Sequence, residues 1–332
     1  MPQHSPFVRH SIASVCLLAT FALAAVPARS HAQNMYVSND TNTISVFNSS
    51  GALVQTIGNS SNLDEPYGLA FDSVGNLYVA NSNPSGGNTI SEFNSSGVFQ
   101  KTIGAGSLNV PIGLAFDSVG NLYAANYGNG SGTTISVFNS SGALVRTIGN
   151  SSNLAAPTGL TFDSVGNLYV ANTSFTNGNT ISEFNSSGVF QKTIGTGSLN
   201  VPIGLTFDTV GNLYAANSGG NNISVFDSSG AFLKTIGTAF NLSAPYGVTF
   251  DSVGNLYAAN RGNNNVTEFN SSGVFQKTIG NSTNLSQPLF IAFAPSVTGT
   301  PEPGSLALMA GLFVSGAVFA ARRRRQGNRD IN

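Results

Sequence analysis

Leu77-Tyr78-Val79-Ala80 is apolar at every position, with Asp72-Ser73-Val74-Gly75-Asn76 in front of it and Asn81 behind. An unbroken apolar run this short, bounded by turn residues, predicts a strand buried on both faces. Gly68-Leu69-Ala70-Phe71, before the turn, predicts its partner. Past a polar loop, Thr89 to Phe93 and Val98 to Gly104, separated by Asn94-Ser95-Ser96-Gly97, predict two more strands. In both turns an Asp or Asn can accept from the backbone ahead of it and a Gly can take positive φ. The four segments should therefore fold back as hairpins.

The pattern recurs. Tyr36, Tyr78, Tyr123, Tyr169, Tyr214 and Tyr257 hold one equivalent position at spacings of 42, 45, 46, 45 and 43 residues, a period that fits propeller blades and not helical solenoids. Pro111 to Asn126, PIGLAFDSVGNLYAAN, returns at Pro202 to Asn217 as PIGLTFDTVGNLYAAN. The first copy starts at its second strand, Asn34 to Asn39, and the last stops after its opening strand, Pro288 to Phe293. One blade is expected from both ends of the array, because an open ring would leave a strand edge bare. The predicted fold is all-β, a six-bladed β-propeller of four-stranded antiparallel blades, closed by pairing the N-terminal three strands with a C-terminal strand. Copies also alternate at the third strand, Ser-Val-Phe from Ser45, Ser136 and Ser224 against Glu-Phe pairs after Ser91, Ser182 and Thr267. A two-blade unit repeated three times gives the same even count.

Composition agrees, since only 8% of the 332 residues are charged, with 38 Gly, 23 Phe and no Trp; this suits short strands and tight turns. The ends read as addresses. Arg9 and His10 precede an apolar run from Ile12 to Val26, and Ser30-His31-Ala32 offers small residues for cleavage, so residues 1–32 are expected to be a secretory signal peptide. At the other end a linker, residues 299–304, carries Pro301-Glu302-Pro303. Residues 305–321 are largely apolar and long enough to span hydrocarbon as a transmembrane segment, and the basic tail, residues 322–332, opens with Arg322, Arg323, Arg324 and Arg325, which favour the cytoplasmic side. This three-part tail resembles the PEP-CTERM sorting signal of Gram-negative bacteria. The resemblance implies processing by an exosortase, a transient hold on the inner membrane, and a final place at the cell surface or in the extracellular matrix. Between the ends, Asn34 to Gly299 holds twelve acidic residues against six basic ones, a balance that disfavours nucleic acid and anionic lipid as partners.

The pattern P-x-G-L/V-x-F-D-x-x-G-N-L-Y-x-A-N, followed by N-x-I/V-x-x-F, resembles the NHL repeat over residues 34–298. Leu77 to Asn81 and Thr89-Ile90-Ser91 are equally similar to the YVTN surface-layer propeller repeat. Either resemblance implies a propeller; the WD and Asp-box repeats are excluded by the lack of Trp. One departure matters. Where many NHL repeats carry Asp after the second strand, this chain has Asn39, Asn81, Asn126, Asn172, Asn217 and Asn260, so the partner preferences of charged NHL domains do not carry over.

All three His, at 4, 10 and 31, and the single Cys16 fall within the signal. Ser-His-Asp and Cys-His catalysis and the usual zinc sites therefore have no residues to use. No catalytic residue and no metal site are expected; calcium on carboxylates alone is the one cofactor alternative. Asp72, Asp117, Asp163, Asp208 and Asp251 end the opening strands and are read as turn acceptors. Glu92, Glu183 and Glu268, with Lys101, Lys192 and Lys277, are read as exposed outer-strand charge pairs of little energetic weight. The Asn-Ser-Ser triplets at Asn48, Asn94, Asn139, Asn185 and Asn270 are read as turns.

Between the second and third strands lie four to eight residues, whereas the tight turns hardly vary. Variable loops on a rigid scaffold are where recognition concentrates. That face holds the candidate ligand residues Tyr67, Tyr127, Thr158, Tyr246 and Arg261, the asparagines at 81, 126, 172, 217 and 260, and nearby Asp64, Glu65 and Phe175. Tyr and Asn around a groove suit sugar hydroxyls. The expected function is a non-enzymatic binding or structural module for exopolysaccharide or another surface protein. The alternatives are a lactonase- or lyase-like propeller using carboxylates and a divalent cation, and a self-associating adhesive component.

Overall fold

A computed structural model describes residues 33–85, 88–173, 179–238 and 240–295. The signal peptide, the sorting motif, residues 305–321, the basic tail and Phe175 lie outside the described residues. Among the described residues no helix is long and apolar enough to cross a membrane.

Among the described residues twenty-four strands form six four-stranded sheets. Blade 2 is Pro66–Phe71, Leu77–Asn81, Thr89–Phe93 and Phe99–Ile103, each strand antiparallel to the next. Blades 3 to 6 repeat it with inner strands Pro111–Phe116, Pro157–Phe162, Pro202–Phe207 and Pro245–Phe250. Blade 1 takes Met35–Asn39, Thr43–Phe47 and Leu53–Ile57 from one end and Ile291–Phe293 from the other. Met35 faces Phe293 and Val37 faces Ile291 in an antiparallel ladder. The chain is a six-bladed β-propeller. Its closing strand is shorter than the stretch from Pro288 predicts, but Ser38 N–H donates to Phe290 O and Leu289 N–H to Ser38 O, so the junction stays bonded beyond it.

The period of two in Leu77-Tyr78-Val79-Ala80 sends Leu77 and Val79 toward blade 1 and Tyr78 and Ala80 toward blade 3. Both faces of the strand are core, which explains why no polar residue interrupts it. Each of the six blade interfaces holds one apolar cluster of this kind. A tyrosine of one blade meets a phenylalanine of the next edge-on at every junction, Tyr36–Phe71, Tyr78–Phe116, Tyr123–Phe162, Tyr169–Phe207, Tyr214–Phe250 and Tyr257–Phe293, with centroids 4.9–5.0 Å apart. Such pairs contribute about 0.5–1.5 kcal/mol each beyond area burial. The recurring Tyr is thus a bolt between blades.

The turn end of the propeller is built as the residues suggest. Asp72 Oδ1 accepts from Val74 N–H and Asn76 N–H, while Oδ2 accepts from the Asn76 amide at 2.8 Å. The same three bonds recur at Asp117, Asp163, Asp208 and Asp251. Asn48, Asn94, Asn139, Asn185 and Asn270 hold the outer turns in the same manner.

One expectation is corrected. Glu92, Glu183 and Glu268 do meet Lys101, Lys192 and Lys277 at 3.3–3.4 Å, but the carboxylates are not exposed, with side-chain exposures of only 11–12%. The third strand carries them under the neighbouring blade, beside Tyr78, Tyr169 and Tyr257. Burial, and then the nearby Glu, raise those three phenols well above the ordinary tyrosine range.

Candidate functional site

At the loop end, the connection from one blade to the next must cross polar backbone over the second and third strands, and each such crossing needs partners. The recurring asparagine supplies them. Asn81 Oδ1 accepts from Asp64 N–H, and its amide donates to Thr89 Oγ1 and Ser91 Oγ. Ser91 Oγ in turn donates to Asn62 O on the same crossing. Asn126, Asn172, Asn217 and Asn260 make the corresponding bonds, and Asn39 makes them across the ring closure to Ser286 N–H. All six are buried, at 0–5% exposure. With both amide hydrogens and the oxygen engaged inside the blade, these asparagines are latches, and they offer no group to a ligand on the face above them. Thr158, 2% exposed, is likewise turned inward, its hydroxyl set against Pro202 O and Ile203 O.

A second asparagine latch locks five of the six inner strands; in blade 4 Ala156 N–H donates to Gly132 O instead. Glu65 N–H donates to Asn42 Oδ1, Val110 N–H to Asn88 Oδ1, Val201 N–H to Asn179 Oδ1, Ala244 N–H to Asn221 Oδ1 and Gln287 N–H to Asn264 Oδ1. All five donors sit just before the inner strand at φ between 42° and 54°. Non-glycine residues avoid that region, so the bond from the preceding blade holds a strained backbone in place. The sequence shows these asparagines as the first residue of N-x-I/V-x-x-F, but not the partner each one holds.

What remains on the face is an aromatic mouth. Tyr67 of blade 2 and Tyr246 of blade 6 stand on either side of blade 1, at the starts of their inner strands. Arg261 lies over the Tyr246 ring, its guanidinium carbon 5.3 Å from the centroid, and its Nη1 donates to Tyr246 Oη at 3.4 Å. Arg261 Nε is buried with no partner among the described residues. Tyr127 follows the second strand of blade 3, across the ring from blade 6. Burial, and then the charge of an ionised Tyr246, raise the Tyr127 phenol. Tyr67 is pushed up to about 12 by burial first, then by Tyr246, Asp40 and Glu65, with Arg261 opposing. Glu65 is raised by burial and by Asp40 and Asp64. The three phenols and the guanidinium therefore share one electrostatic neighbourhood with three carboxylates. The hydroxyls of Tyr67 and Tyr127 bond to no protein group among the described residues. Among those residues no three His, Cys, Asp or Glu side chains come together as metal ligands would.

The architecture and this mouth define a six-bladed propeller of the repeat type. The family described as beta-propeller repeat (SBBP) matches residues 54–82, one blade junction and the strands beside it. Among solved structures, the chain is similar to a protein of unknown function from Bacteroides caccae (TM-score 0.63, 15% identity, 80% of this chain and 99% of that one). It is similar also to a chain of a nidogen/laminin complex (TM-score 0.69, 21% identity, 80% and 99%) and to virginiamycin B lyase from Staphylococcus aureus (TM-score 0.57, 17% identity, 80% and 92%). At these identities the likeness is one of fold. No curated protein matches the chain.

Proposed function

We propose that this is an exported, non-enzymatic binding propeller of the NHL or YVTN kind. Its PEP-CTERM-like tail is processed by an exosortase, and it acts at the cell surface or in the matrix on exopolysaccharide. One observation carries the reading: half-buried Tyr67, Tyr127, Tyr246 and Arg261 gather at the loop-end mouth, where the Tyr67 and Tyr127 hydroxyls bond to no described protein group. Tyrosine faces stack on sugar C–H groups, and free hydroxyl and guanidinium groups exchange hydrogen bonds with sugar oxygens. The nidogen/laminin relative supports a binding role on this fold. The lyase relative does not bring its chemistry along. A histidine-to-alanine variant of that enzyme is catalytically inactive, and residues 33–332 here contain no histidine.

The test is retention of the purified full chain on extracellular polysaccharide, with Tyr246→Ala and Arg261→Ala compared with the parent. Loss of retention in both supports the reading; parent protein that is not retained, or variants retained like the parent, would sink it. Stoichiometric calcium in the purified protein would instead favour the carboxylate-dependent enzyme.

A further inference from the structure

The inner strands surround an axial cavity of about 370 Å³, within the ordinary range of small-molecule sites, about 300–1,000 Å³. Its lining runs from the glycine level of the inner strands to Asp72 and Pro295 at the turn end, so it faces away from the tyrosine mouth. Five blades have Gly at this level because the next blade's backbone leaves no room for a Cβ: Gly68 abuts Ile112 O and Gly159 abuts Ile203 O; Gly113, Gly159 and Gly204 line the cavity. At the sixth, blade 1, Phe290 stands in that position and lines the cavity.

The repeat breaks a second time one layer down. Blades 4, 5 and 6 carry Thr161, Thr206 and Thr249, while blades 1, 2 and 3 carry Ala292, Ala70 and Ala115 at the same position. The three threonines line the cavity, and none of their hydroxyls bonds to the protein among the described residues. Phe71, Phe290 and Phe293 line the alanine half, and among the described residues no phenylalanine lines the threonine half. One wall therefore carries an arc of three free hydroxyls beside Leu160, Leu205 and Val248, and the other is phenyl and methyl apart from Asp72 at the rim. Folding does not require this split, since alanine serves at the same position in the other three blades. Among the described residues no Lys or Arg lines the cavity, and its one charged group is Asp72 at the rim.

We propose that the axial cavity binds one neutral hexose ring, with its C–H face toward Phe290 and Ala115 and its hydroxyl edge toward Thr161, Thr206 and Thr249. A pyranose has that two-sided chemistry, and the lack of a cation in the lining argues against an acidic sugar. The site is separate from the loop-end mouth and does not depend on it.

The full-length chain, held in a detergent without sugar, is titrated with the methyl glycosides of glucose, galactose and mannose and followed by saturation-transfer NMR. Saturable binding of at least one is expected. Substituting Thr161→Val, Thr206→Val and Thr249→Val together keeps branched side chains in the strands and removes the hydroxyls, so binding should weaken about tenfold or more while the unfolding midpoint of the free protein holds. Repeating the titration with the same sugar at the end of an oligosaccharide separates the two sources: preference for the free ring assigns a monosaccharide, and preference for the oligosaccharide assigns a glycan end. Saturation by none of these probes, unchanged binding in the triple variant, or loss of binding in Arg261→Ala would overturn the proposal.

Discussion

At the turn end of the axis, five blades present Asp-Ser/Thr-Val-Gly-Asn turns closed by the same three hydrogen bonds, and their valines stand 68–82% exposed. At the loop end, connections of four to eight residues share the first asparagine latch, five of the six share the second, and they vary in length and sequence above them. The difference separates two kinds of demand. Where folding alone sets the residue, the copies converge; where it sets only the backbone, the side chains diverge. The tyrosine mouth and the threonine arc are both places where copies diverge although the scaffold is identical, and that makes them the candidates for function.

Alkali tests the shared scaffold everywhere at once and should have the largest effect. Tyr36, Tyr78, Tyr169, Tyr214 and Tyr257, five of the six inter-blade bolts, have phenols raised chiefly by burial, Tyr214 to about 12. The folded state therefore keeps protons that the unfolded chain gives up near pH 10. The stability from these groups is full below that pH and is lost as pH rises through the folded values. Thermal unfolding followed with phenolate absorbance should show a flat midpoint up to about pH 10 and a steep fall by about 12; phenols titrating at their ordinary value in a still-folded protein would contradict the bolt role.

Gly159→Ala strikes one junction. Its added methyl would meet Ile203 O, and Gly204 Cα at 3.0 Å, both backbone, so the blades must part. We expect a loss of about 3 kcal/mol in urea unfolding. Asn172→Ala removes the bonds to Ala155 N–H, Thr180 and Ser182 from a buried site and should cost about 2 kcal/mol. It crosses the comparison: the residue belongs to the loop end but is scaffold, so a variant that lost ligand binding while keeping full stability would show the latch assignment to be mistaken. Asp163→Ala, at an exposed turn, should cost about 1 kcal/mol by the same assay, in the manner of a lost helix cap.

The ring, its count and its closure were readable because one physical rule, a strand with two buried faces, writes the same apolar run at Leu77, Leu122, Leu168, Leu213 and Leu256. The roles of Asp72 and its kin were readable because turn chemistry is local. The asparagines after the second strand were not, since their partners lie 17 residues back on a crossing whose path only the folded blade fixes. The buried glutamates escaped for a related reason: Glu92 follows Ser91 on a strand that reads as outer, and only the neighbouring blade covers it. Ala70 against Thr161 is visible in the sequence, but its meaning requires knowing that both line one axis.

Arg261→Ala should change stability least and recognition most. The side chain is half-buried, its one hydrogen bond to Tyr246 Oη is long at 3.4 Å, and its guanidinium sits 5.3 Å from the ring. A contact of that kind contributes about 0.5 kcal/mol, so unfolding by urea should be nearly unchanged. Burying Nε without a partner carries a cost, which the substitution removes, so a slight gain in stability would fit equally well. If the mouth is a binding site, retention on polysaccharide should fall several-fold in the same variant. A drop in stability of the size expected for Asn172→Ala would instead class Arg261 with the latches, and the contrast between the two ends of the axis would then rest on the tyrosines alone.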